Sequence, residues 1–160
     1  MNFEEPKKLV SGIIFALFFP LFGIFLFSKL EFMGINLYYD VFLGFSTSFV
    51  NSTFEWFFTL FKAEVLSLTS MNAIINTIPP ILTWFTTGYI IGVILKRLKI
   101  ALLLSLIIPI IYFVILLVFG AINNSLIDMF TTSILLVLGG LIISFGFITL
   151  GAYLGTLAGK

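Results

Sequence analysis

Charged residues divide the chain into long uncharged intervals. Four intervals, of 20, 31, 28 and 31 residues, contain no Asp, Glu, Lys or Arg. A helix that crosses a hydrocarbon core of about 30 Å needs about 20 residues, so each interval is long enough for one crossing and too short for two. The pattern therefore predicts four transmembrane helices, at residues 9–27, 78–95, 100–119 and 134–157.

The composition agrees with this pattern and sets the class of the protein. Hydrophobic residues make up 61% of the 160 residues and charged residues 9%, whereas soluble chains have about 45–50% and about 25%. Apolar runs such as LLLSLIIPIIYFVILLVF lack the alternation of a transmembrane barrel strand. We therefore expect a single all-α integral membrane domain covering residues 1–160. The abundance of Phe and Ile is typical of an AT-rich genome, such as an archaeal one.

The distribution of Lys and Arg predicts the topology. With the N-terminus inside, Lys29 and Lys62 fall outside, and six basic residues fall inside: Lys7, Lys8, Lys96, Arg97, Lys99 and Lys160. Basic residues are enriched on the cytoplasmic side of membrane proteins. We therefore expect both termini to be cytoplasmic, in a prokaryotic plasma membrane.

The long outer segment, residues 31–77, is itself rich in apolar residues. Within it, Ser52 and Glu55 fit a capping box at the start of a helix. Glu55, Thr59 and Lys62 would form one polar stripe, and aromatic residues such as Trp56 would cover the rest. This pattern is typical of an amphipathic interfacial or re-entrant helix.

Several placements of that helix are open. It could be a lid packed on the protein's own spans, a surface that docks another subunit, or a lid that gates a ligand. A fifth span near residues 41–61 is a further alternative. That span would bury Glu55 and place the basic residues at 96–99 outside, so we favour the interfacial or re-entrant placement.

Small residues recur at helical spacing in two of the spans. Gly88 and Gly92 form a GxxxG motif, and the last span carries a longer series: Gly140, Ser144, Gly151, Gly155 and Gly159. Such residues let helix backbones approach closely, within one chain or between chains. A shift of 63 residues aligns Gly88 with Gly151 and Gly92 with Gly155, which suggests a duplication with an axis along the membrane normal.

The available side-chain chemistry is sparse. The chain has no His and no Cys, so we expect no catalytic residues, no cofactor and no metal site. Without a large basic cluster, we expect no nucleic-acid partner. Thr83 and Thr87 share one helix face and would either line a polar path or bond to carbonyls of their own helix.

Two functions remain. The first is a non-catalytic accessory subunit of a larger membrane complex, respiratory or otherwise energy-converting, that packs through Gly-rich and aromatic faces. The alternative is a small homo-oligomeric transporter or channel for an uncharged or small solute, with Thr83 and Thr87 in its path. A lipid-modifying enzyme would have only Tyr38, Tyr39 and the outer carboxylates to work with. The expected partners are the bilayer and other membrane subunits or further copies of the chain.

Overall fold

The fold was analysed in a computed structural model of the chain. The structure describes residues 4–27, 31–32, 35–36, 57–58, 60–61, 71–132 and 134–159. Five helices have both ends in this part: α1 (Glu4–Phe27), α2 (Met71–Leu95), α3 (Leu98–Ile122), α4 (Leu126–Thr132) and α5 (Ile134–Ala158). Residues 57–58 and 60–61 are also helical. A two-residue antiparallel ladder, β1 (Glu31–Phe32) with β2 (Ile35–Asn36), is the exception to the all-α prediction.

The four predicted spans are confirmed as four long apolar helices. Stretches long and apolar enough to cross a membrane lie in α1, α2, α3 and α5, at Pro6–Ile24, Thr77–Leu95, Leu98–Ile122 and Ile134–Ala158. Two other features differ from the prediction. The helix α2 begins at Met71, within the segment assigned to the outer connection, and the short helix α4 was not predicted.

The helix α2 begins seven residues before residue 78, the start that the uncharged interval predicts. In the structure both prolines lie inside α2. Each proline withholds only one backbone N–H, so the preceding two turns stay helical at the cost of two backbone hydrogen bonds.

The helices α1 and α2 run antiparallel. A Cβ atom on Gly12, early in α1, would lie 3.2 Å from Cδ2 of Leu95 at the end of α2, and one on Gly23 would lie 3.0 Å from Cγ2 of Thr83. The end of α1 and the beginning of α2 therefore share one end of the bundle. Apart from residues 57–58 and 60–61, the fifth span considered for 41–61 lies outside the described residues.

The helices α2 and α5 run parallel at the centre of the bundle. Gly151 lies against Phe85, and four residues further along both helices Gly155 lies against Tyr89. The helix α1 flanks α2, and α3 packs against α5. A two-residue turn, Lys96 and Arg97, joins α2 to α3.

The start of α1 and the end of α5 consequently lie at one end of the bundle, which we call the basic end. It is defined by Lys7, Lys8, Lys96, Arg97 and Lys99. The opposite end, where α1 ends and α2 begins, is called the distal end. Which side of the membrane the basic end faces stays a prediction.

Candidate functional site

Glycines bring the backbones of α2 and α5 into direct contact. A methyl group on Gly88 would overlap the carbonyl oxygen of Ile148, and one on Gly151 would overlap the carbonyl oxygen of Phe85. Ile148 lies three residues before Gly151, and Phe85 lies three residues before Gly88. The two contacts are therefore the same contact with the helices exchanged.

The second glycine pair repeats this relation one turn further along. Gly92 faces the carbonyl oxygen of Ala152, and Gly155 faces that of Tyr89. Each carbonyl again belongs to the residue three positions before the partner glycine. Reciprocal contacts of this kind are what a two-fold axis between parallel helices produces, and they are consistent with the duplication suggested by the 63-residue shift.

Of the remaining small residues, Gly159 also lies against α2, whereas Gly140 and Ser144 do not. A methyl group on Gly140 would overlap the backbone of Phe61, and one on Gly159 would lie 3.1 Å from the carbonyl oxygen of Val93. Ser144 is buried, and its hydroxyl donates to the carbonyl of Leu141 in its own helix. Only some members of the glycine series therefore lie against α2.

Residues from the long connection are inserted into the bundle. Leu60 and Phe61 are completely buried, and Phe58 is almost so. The indole Nε1 of Trp84 donates a hydrogen bond of 3.1 Å to the carbonyl oxygen of Leu60. We call Phe57, Phe58, Leu60 and Phe61 the inserted segment; they are helical in the structure.

Aromatic rings surround the inserted segment. The ring centroids of Phe61 lie 5.8 Å from those of both Trp84 and Phe113, and Phe57 lies 5.4 Å from Tyr112. Trp84 and Tyr112 meet edge to face at 5.8 Å. Such pairs contribute about 0.5–1.5 kcal/mol each beyond the area they bury. The cluster joins the inserted segment to α2 and α3.

A buried hydroxyl ties α1 to the same cluster. The hydroxyl of Tyr112 donates a hydrogen bond to the carbonyl of Leu17 in the middle of α1. Because a hydroxyl in an apolar interior has no water to bond, this contact holds α1 against α3 at a fixed height.

The inserted segment lies at the depth of the spans rather than at their ends. Trp84 is seven residues from Thr77, which corresponds to about 10 Å along α2. Tyr112 is ten residues from Ile122, or about 15 Å along α3. The segment therefore lies well below the distal end, between helices that are long enough to cross a bilayer.

The residues predicted to form the interfacial helix lie outside the described residues. They are Ser52, Glu55, Trp56, Thr59 and Lys62. Of the aromatic surface proposed for that helix, Phe57, Phe58 and Phe61 are described. Phe58 and Phe61 are buried in the bundle, and Phe57 packs against Tyr112.

The threonines proposed for a polar path are bonded to their own helix. The Thr83 hydroxyl donates to the Pro79 carbonyl at 2.8 Å, and the Thr87 hydroxyl donates to the Thr83 carbonyl at 2.7 Å. Both side chains are completely buried. Throughout the described residues, every buried side-chain nitrogen or oxygen has a hydrogen-bond partner.

The sequence contained one signal for this cluster that pattern analysis missed. Trp and Tyr favour the membrane–water interfaces, yet Trp84 and Tyr112 lie in the middle of their spans. A tryptophan or tyrosine at that depth needs an acceptor inside the protein. The acceptors are backbone carbonyls. Every residue has one, so the sequence does not indicate which carbonyl accepts the bond.

The cluster and the α2–α5 interface contain packing and hydrogen-bonding groups. No group of three or more His, Cys, Asp or Glu that could hold a metal ion occurs within the described ranges. Comparisons with protein-family models, curated proteins and solved structures gave no match to this chain.

Proposed function

We propose that this chain is a non-catalytic structural subunit of a larger membrane complex. The observation that carries the proposal is the hydrogen bonding of the interior polar groups. The hydroxyls of Thr83, Thr87 and Tyr112 and the indole of Trp84 all bond to backbone carbonyls. A bundle held in this way, with glycine contacts between its central helices, is suited to present a rigid surface.

The surface that we assign to a partner helix lies on α1. A groove of about 590 Å³ is lined by residues of α1 and by Ile94 of α2; the α1 residues are Ser11, Ile14, Phe15, Phe18, Phe19 and Phe22. Aromatic residues are enriched at the energetic centres of protein interfaces. The exposed face of α3 instead carries aliphatic residues, among them Leu103, Ile110 and Val114, and suits contact with lipid chains.

The proposal predicts an unlike partner in the extracted complex. Gentle extraction through a C-terminal tag, followed by native mass spectrometry, should show this chain of 17.9 kDa with at least one different chain in stoichiometric amount. The chain alone, or only multiples of its own mass, would contradict the proposal and favour the small transporter or channel.

The α1 groove is tested by a pair of matched variants. Ile14→Ala with Phe18→Ala removes two groove residues that are 53% and 59% exposed, and we expect it to reduce the recovered partner at least tenfold. Leu103→Ala with Ile110→Ala removes residues of similar exposure on α3, 58% and 51%, and should leave recovery unchanged. Equal recovery from both variants would show that α1 is not the partner face.

A further inference from the structure

The basic end contains a cavity with a volume of about 410 Å³. Its lining combines three basic residues, Lys8, Lys96 and Arg97, with four apolar ones: Pro6, Leu9, Leu95 and Ile100. The lining comes from α1, from the last residue of α2, from the turn between α2 and α3, and from the first turn of α3.

The charge of this end favours an anionic ligand. Lys7 and Lys99 add to the three basic residues of the cavity, and Glu4 and Glu5 are the acidic residues of the first turn of α1. The described part of this end therefore carries a net charge of +3. Arg97 is the N-cap of α3 and makes no side-chain cap hydrogen bond, and the first turn of α3 has no acidic residue. The N–H groups of that turn add partial positive charge beside the cavity.

The backbone at Lys96 is a second, independent feature of the site. Lys96 has a φ of 54°, in the left-handed region, where glycine and asparagine are favoured over other residues. The turn at the distal end has Asn124 in the same conformation, with a φ of 56°. The basic end thus has a lysine where the backbone would favour glycine. A non-glycine residue in this conformation points to a role for its side chain.

The cavity lies at the end of spans that are long enough to cross a bilayer, where lipid headgroups are found. Basic pockets between transmembrane helices recognise anionic headgroups. We propose that this cavity binds the phosphate-bearing headgroup of an anionic phospholipid, with its phosphate at Lys96, Arg97 and Lys8. The start of the acyl region would lie against Leu9, Leu95 and Ile100. This site does not depend on the proposed structural role.

The test separates the cavity from the general positive charge of this end. The purified full chain is titrated with phosphatidylglycerol, and bound lipid is measured by native mass spectrometry. Lys96→Gly and Arg97→Gln should each weaken binding about fivefold, and Lys96→Gly should keep or raise thermal stability because glycine suits the backbone there. Lys99→Gln removes the same charge outside the cavity lining and should change binding less than twofold.

Two further arms identify the ligand chemistry. Phosphatidylcholine should bind at least tenfold more weakly than phosphatidylglycerol, and millimolar inorganic phosphate should not displace the bound lipid. Equal losses in Lys96→Gly and Lys99→Gln, equal binding of the two lipids, or displacement by inorganic phosphate would each overturn the proposal.

Discussion

Gly151→Ala is expected to lower the stability of the bundle by about 3 kcal/mol, at the upper end of the usual cost of overpacking. The added methyl group would overlap the carbonyl oxygen of Phe85 and would lie 2.8 Å from the backbone nitrogen of Tyr89. Because both atoms belong to a helix backbone, the clash can be relieved only by separating α2 from α5. In detergent, the melting temperature should fall by about 10 °C, measured by size-exclusion chromatography after heating.

Gly146→Ala is the matched control in the same helix. Gly146 is exposed, and a Cβ atom there has no neighbour within 4 Å. This variant should keep or slightly raise the melting temperature, since alanine is the better helix former by about 1 kcal/mol. Equal melting temperatures for the two variants would show that α2 and α5 do not meet through Gly151.

Gly140→Ala is expected to displace the inserted segment. The new methyl group would overlap the backbone of Phe61, so the segment has to move away from α5 and lose the hydrogen bond between Trp84 and the Leu60 carbonyl. The chain has no cysteine, so a single Phe58→Cys probe reports on this segment alone. Phe58 is 9% exposed, and its cysteine should react with maleimide about tenfold faster after Gly140→Ala, in line with an overpacking cost of 1–3 kcal/mol.

The control for this experiment is again Gly146→Ala, combined with the same Phe58→Cys probe. It should leave the labelling rate at that of the probe alone. Fast labelling of the probe in the otherwise unchanged chain would mean that the segment is not inserted between the helices, whatever the effect of Gly140→Ala.

The number of spans could be predicted because it depends on where the charged residues lie along the chain. Charged residues are costly inside a bilayer, so the uncharged intervals bounded by residues such as Lys96 and Asp128 mark the helices directly. The start of α2 was predicted less well. A Pro79–Pro80 pair can lie in the first turn of a helix or inside one. Only the backbone conformation of the preceding residues distinguishes the two cases.

The packing partners of the helices could be predicted only in part. A GxxxG motif indicates close approach, but the sequence does not say which helix approaches. The structure pairs Gly88 with the backbone of Ile148 and gives Gly140 an entirely different neighbour, Phe61. Both positions have the same small residue, so the difference arises from the tertiary arrangement.

The position of the aromatic cluster could likewise not be predicted from the sequence. The run of aromatic residues around Phe57 and Phe61 predicts an apolar surface, but a helix at the membrane surface and an element inserted between spans both need one. Insertion depends on an acceptor for Trp84 and on the space that Gly140 leaves for the Phe61 backbone. Neither contact follows from residue spacing along one helix.

The parallel arrangement of α2 and α5 is the central feature of the fold, because the reciprocal glycine contacts and the position of the end of α5 at the basic end depend on it. Cysteine cross-linking in native membranes tests it most directly. A Val93→Cys, Gly159→Cys variant should form an intramolecular disulfide under mild oxidation, since a Cβ on Gly159 would lie 3.3 Å from the Val93 Cα. A Val93→Cys, Leu135→Cys variant should not, because 24 residues of α5, about 36 Å, separate Leu135 from Gly159. A disulfide in the second variant and none in the first would contradict the parallel arrangement.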